Sequence, residues 1–141
     1  MQQAASMVDS VDLEAPAAPI RSTMAAIASF CVQQRVDVTQ EISAQIAIEQ
    51  ALIAGGFEFH REHFLSKRDK PDFLIIKDGF SIVLEMKTKA NRMATYKQLE
   101  RYASHEEVHG LILLSGTAMG LPAEINGKPA QVVSLGRAWL R

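Results

Sequence analysis

Residues 71–87 read PDFLIIKDGFSIVLEMK, and three of them could do chemistry together: Asp72, Glu85 and Lys87. Asp78-Gly79, set between the apolar runs FLIIK and FSIVLEM, is a strong signal for a two-residue type I′ hairpin, because both central positions need positive φ. In that register Lys77 lies opposite Phe80. Each step back along the first strand is matched by a step forward along the second, so Asp72 falls opposite Glu85. Directly opposed Cβ atoms lie about 4.5–5.5 Å apart. Alternation places Lys87 on the face of Glu85 and sends Met86, with Leu84 and Ile82, to the other.

Two carboxylates so placed repel one another, and a nearby cation or a shared proton must offset the repulsion. Lys87 offsets part of it. A divalent ion offsets more, since Mg²⁺ is a hard cation that takes carboxylate oxygens and keeps several waters. Metal-assisted hydrolysis of a phosphodiester needs these parts: an ion that polarises the phosphoryl group and a water made more acidic. Lys87 would orient that water or stabilise developing negative charge. The bland alternative is a solvated ion cluster. Against it, both acids adjoin strongly apolar strands, where a carboxylate without partners is costly.

The elements that must position these residues are legible in part. Residues 39–54 form a helix capped by Thr39, with Ile42, Ile46, Glu49 and Ile53 near one stripe, and Gly55-Gly56 ends it. Residues 57–65 read as a strand and SKRDKP as a basic loop. The hairpin strands are 73–77 and 80–86. A helix follows over 93–104, with Tyr96, Leu99, Tyr102 and Ala103 along one side. GLILL at 110–114 has the continuous apolar character of a buried strand, and QVVSL at 131–135 makes a last short one. Asn126-Gly127 marks a small hairpin within the loop before it, and RAWLR closes the chain. The order is α-β-β-β-α-β plus a short C-terminal strand, an α/β fold with a mixed central sheet flanked by helices. Residues 1–36, rich in Ala, Ser and Pro at the start, are expected to be a flexible or partly helical tail, with a short helix over 22–34 capped by Ser22 or Thr23; the domain proper is 37–141.

A length of 141 residues suits one core. No apolar run approaches the roughly 18 residues of a membrane span, and the N-terminus lacks a secretory signal, so a soluble cytoplasmic protein with no membrane partner is expected. The net charge of −1 hides an asymmetry. Residues 1–50 carry 2 basic and 6 acidic side chains, residues 51–101 carry 10 and 7, and residues 102–141 carry 3 and 3. The middle segment is basic although it holds both acids of the pair, which points to an anionic ligand.

Pro71-Asp72 and Glu85-Met86-Lys87, joined by a hairpin, resemble the PD and E-x-K elements of the PD-(D/E)XK nuclease superfamily. The resemblance covers about residues 39–115 and is nearest in flavour to small phage-type and Holliday-junction-resolvase-like members. It implies a restriction-endonuclease-like core and hydrolysis of DNA phosphodiesters in phage or bacterial DNA processing, repair or recombination. RNA is the other polymer with the required bond, and a homodimer would suit cutting of both strands. It further implies that Asp72, Glu85 and the Met86 carbonyl hold Mg²⁺ or Mn²⁺, and that Lys87 positions the water. A carboxylate from the first helix often joins such a set. Glu41 and Glu49 compete for that place, Glu41 being favoured, although an acid in a first helical turn also suits the helix dipole. Gln98 and Tyr102 match a Gln-then-Tyr pattern of some members and share a helix face at i and i+4. Gln98 would hold Lys87 or a phosphate, and Tyr102 is read as core. Lys67, Arg68, Lys70, Lys89, Arg92, Lys97 and Arg101 are candidate phosphate contacts. The alternative function is a catalytically silent nucleic-acid-binding or assembly module with the same fold.

Two other constellations carry less. HEEVH, with His105, Glu106 and His109, has the letters of a zinc-protease motif, but Gly110 and an apolar strand follow at once, so it reads as a helix end and a turn. Cys31, the single cysteine, reads as a small apolar filler.

Overall fold

The computed structural model describes residues 17–89 and 91–135. Helices α1 (Ala17–Val32) and α2 (Glu41–Ala54) precede strands β1 (Glu58–Arg61), β2 (Phe73–Lys77) and β3 (Phe80–Lys87). Helix α3 (Arg92–Ala103), β4 (Gly110–Ser115), β5 (Glu124–Ile125) and β6 (Lys128–Ser134) complete the order. The six strands form a mixed sheet in the order β1-β2-β3-β4-β6-β5. Strands β3, β4 and β6 run parallel, and β1, β2 and β5 are antiparallel to their neighbours.

The hairpin has the register its turn predicts. Asp78 and Gly79 take φ of 54° and 83°, Lys77 pairs with Phe80, and Phe73 pairs with Leu84. Strands β3 and β4 are central, so nearly every residue in them is buried on one face or the other, as continuous apolar runs require. Phe73, Ile75, Ile82, Leu84, Met86, Ile112 and Leu114 face α1 and α2. Leu74, Val83, Leu111 and Leu113 face α3 through its Leu99, Tyr102 and Ala103. Asn91 caps α3, its side chain accepting from the Ala94 N–H.

Four expectations change. First, the division at residue 36 fails. Helix α1 begins at Ala17, and Met24, Ile27 and Cys31 are fully buried against the sheet, so this segment belongs to the domain; the first sixteen residues of the tail expected over 1–36, and the closing RAWLR, lie outside the described residues. Second, α2 turns its Ala44, Ile48 and Leu52 inward and leaves Ile42 and Ile53 74% and 63% exposed. The helix is apolar nearly all round, so its period does not single out one face. Third, Thr39 does not cap α2; its N–H and hydroxyl both bond Asp37, and Gln40 stands at the cap position without a side-chain bond. Fourth, β1 stops at Arg61, where Glu62 takes a positive φ of 53°, so the expected strand to residue 65 is cut short.

Candidate functional site

The candidate site lies at the carboxyl ends of the parallel strands β3 and β4, where open α/β sheets usually take their ligands. Asp72 stands one residue before β2, and the hairpin register carries it to Glu85. The two acids interlock through the backbone. The Asp72 N–H donates to Glu85 Oε1 at 3.0 Å, and the Met86 N–H donates to Asp72 Oδ2 at 2.8 Å. Lys87 Nζ lies 3.5 Å from Glu85 Oε2. Glu41, the first residue of α2, accepts from the Thr88 N–H at 3.2 Å.

These bonds show which way the β3 edge faces. In a strand the N–H and C=O of one residue point to the same side. Met86 and Thr88 aim their N–H groups at Asp72 and Glu41, past the point where β2 begins, so the Met86 carbonyl opens between those two carboxylates. Asp72, Glu85, the Met86 carbonyl and Glu41 are thus hard oxygen donors at one strand end, which is the donor chemistry that Mg²⁺ or Mn²⁺ takes. Among the described residues, however, no three His, Cys, Asp or Glu side chains converge on one point. The fit to an ion is therefore the Asp72–Glu85 pair with a carbonyl and waters, and Glu41 one step away. Glu49 is elsewhere, 3.9 Å from Arg61 Nε.

The electrostatics follow from the burial. Glu85 is only 3% exposed. Burial, and then the charge of Asp72, push its carboxyl up to about 8, against the hydrogen bond from the Asp72 N–H and the charge of Lys87. Burial also raises Asp72; the Met86 N–H, Lys87 and Arg61 oppose the rise, and Glu41 adds to it. Tyr102 is fully buried beneath the pair, and its phenol is raised by burial and by the two acids. It packs in the core, in line with the reading from sequence.

Beside the pair lies a cleft of about 340 Å³ lined by Lys87, Lys89, Asn91, Thr95, Gln98 and Arg101. It brings Gln98 and two of the candidate phosphate contacts next to Lys87. The other candidates stand apart. Lys67 and Arg68 are exposed on the loop before β2. Lys70 sits 3.9 Å from Glu62 and over the Phe64 ring. Lys97 points to solvent, and Arg92 lines a separate groove with Met93 and Leu121.

Two site residues escaped the sequence reading. Arg61 donates to the Asp72 carbonyl at 3.1 Å and to Gln45 Oε1 at 3.0 Å, with its guanidinium over the Phe73 ring. Asp69 takes Arg101 Nε at 3.0 Å on one oxygen and His105 Nε2 at 2.9 Å on the other. Burial works to raise the Asp69 carboxyl, and the hydrogen bonds and charges of His105 and Arg101 together outweigh it, holding the group below its ordinary value. The HEEVH histidines diverge: His105 serves Asp69, and His109 Nδ1 accepts from the Ser81 N–H at 2.9 Å.

Comparisons of the chain with protein-family models, with curated proteins and with solved structures find no match. What fold and site define is a class: an α/β domain whose six-stranded mixed sheet, flanked by helices, carries a buried Glu85 paired with a half-buried Asp72, and a lysine beside a basic cleft. Among the described residues no helix is long and apolar enough to cross a membrane.

Proposed function

We propose that the protein is a metal-dependent nuclease with a restriction-endonuclease-like core, acting on DNA, with RNA as the second substrate to test. The observation that carries this reading is the interlocked pair Asp72–Glu85 with Lys87 3.5 Å from Glu85, at a strand end that opens beside cationic side chains. Bound by Asp72, Glu85 and the Met86 carbonyl, a divalent ion would supply Lewis-acid polarisation of a phosphoryl oxygen and a more acidic water. Lys87 holds its ammonium where the nucleophilic water or the developing charge would lie. Gln98, Lys89 and Arg101 hold the polyanion in the cleft. The test is incubation with supercoiled, linear and branched DNA and with single-stranded RNA, in Mg²⁺, in Mn²⁺ and in EDTA. Cleavage in either metal and none in EDTA is expected; intact substrates throughout would overturn the reading.

One feature favours a second reading, a binding module without catalysis. Each acid of the pair already accepts a backbone N–H, and no buried side-chain polar atom lacks a partner among the described residues. Metal binding separates the two. Without metal, the folded Glu85 carboxyl keeps its proton from the ordinary 4.5 up to about 8, while the unfolded chain loses it. Stability therefore falls as pH rises through that window. Mn²⁺ must displace that proton, so it binds better at pH 8 than at pH 5.5. At about 100 times its dissociation constant it adds about 2.7 kcal/mol, a rise in melting temperature of about 8 °C for a domain of this size. Thermal melts at the two pH values, with and without Mn²⁺, read this directly. No Mn²⁺ shift together with retained DNA binding selects the module.

A further inference from the structure

Arg101 is held in an unusual way for a residue lining an open cleft. Its Nε donates to Asp69 Oδ1 at 3.0 Å, and the Asp69 side chain is 8% exposed while that of Arg101 is 35% exposed. A guanidinium is a rigid plane, so fixing Nε from a buried carboxylate fixes the direction of the two terminal nitrogens. Among the described residues no side chain or carbonyl takes those nitrogens, and the cleft they line holds Lys87, Lys89 and Gln98 but no carboxylate.

Asp69 is anchored in turn. Its carbonyl accepts from the Leu65 N–H at 2.8 Å, and its N–H donates to Ser66 Oγ at 3.1 Å, which closes a tight turn. Its second carboxylate oxygen meets His105, and the His105 carbonyl accepts from Lys128 Nζ at 2.6 Å. The loop that reaches Asp72 three residues later is therefore tied to the end of α3, and through it to β6. One carboxylate thus ties the loop that precedes Asp72 to Arg101 in the cleft wall.

We propose that Asp69 and Arg101 form a pre-set clamp for one backbone phosphate of the nucleic acid, with Arg101 making the contact and Asp69 acting as its positioning residue. The proposal rests on the nuclease reading and deepens it. A planar fork with two free donors matches a phosphate bidentately, which a lysine ammonium cannot do. Holding the fork before the substrate arrives removes ordering cost from binding.

The test is fluorescence anisotropy of a labelled 20-base-pair duplex in EDTA, with wild type, Arg101→Lys, Asp69→Asn, the double variant, and Lys77→Met as a control at the hairpin turn. Arg101→Lys keeps the charge and is expected to weaken binding about tenfold by losing the fork. Asp69→Asn should weaken it by a similar factor, and the double variant should be no weaker than Arg101→Lys, because the two act as a unit. In cleavage assays the loss should fall on KM, with kcat within a few-fold of wild type. Lys77→Met, which also removes a cation, should bind like wild type. If Asp69→Asn melts below the assay temperature, Arg101→Lys alone decides. Wild-type affinity in Arg101→Lys overturns the clamp, and cleavage by the wild-type protein in that case leaves the nuclease reading standing. A wild type that neither binds nor cuts overturns both.

Discussion

Glu85→Gln is expected to abolish Mg²⁺-dependent cleavage and, in the same protein, to raise the stability of the metal-free fold at pH 8. The loss of activity follows from the role of the pair. Lewis-acid stabilisation is worth several kcal/mol, and at about 1.36 kcal/mol per decade its removal slows cleavage by about 10³-fold or more. The gain in stability has the opposite origin. Glu85 is buried beside Asp72, and burial and that neighbouring charge push its carboxyl up to about 8. At pH 8 the wild-type fold must either hold two like charges together or hold a proton. Glutamine is nearly isosteric, can still accept the Asp72 N–H, and carries no charge. The pH dependence gives the sign. The wild type loses stability as pH rises from the ordinary 4.5 to about 8, and the variant should show a flatter curve over that window. Urea unfolding at pH 5 and pH 8, beside a plasmid-cleavage assay, measures both halves. A variant that cuts like wild type removes Glu85 from the ligand set. A variant less stable than wild type at pH 8 means that the repulsion is already relieved.

A chain beginning at residue 37 is expected not to fold. Sequence composition invites that truncation, but the sheet forbids it. Ile20, Met24 and Ile27 lie 6%, 1% and 0% exposed against Ile82, Ile112 and Leu114. Fully burying such a side chain contributes about 1.5–3 kcal/mol each, and the whole domain has only about 5–15 kcal/mol to lose. Deleting α1 also uncovers the sheet face it shields. Circular dichroism and a urea titration of the truncated chain test this; a cooperative transition matching the full chain would restore the tail reading.

How much was legible depends on how local the cause was. The pairing of Asp72 with Glu85 rests on a two-residue turn whose backbone requirement is written in Asp78-Gly79, so thirteen residues of separation could be bridged by counting. Glu41 was accessible because a helix start can be read from sequence, although its bond to Thr88 could not. Arg61 and Asp69 were hidden for one reason. Residues 62–72 connect β1 to β2 without a turn signal of fixed length, so neither the β1–β2 register nor the placement of the loop beside α3 could be counted out. On α2 the difficulty was excess. Ile42, Ile46 and Ile53 make as good an apolar stripe as Ala44, Ile48 and Leu52, and only the packed sheet selects the second.

Cys31 has a practical consequence for watching this protein at work. It is the single cysteine of the chain, it is fully buried in α1, and burial pushes its thiol up to about 12. The thiolate is the form that reacts, so the native chain offers almost none to a maleimide dye or a nitroxide at neutral pH. A cysteine introduced at an exposed position such as Lys97 on α3 would take the label alone. Distances and environments around the cleft thus become open to fluorescence and spin resonance without altering a single native core residue.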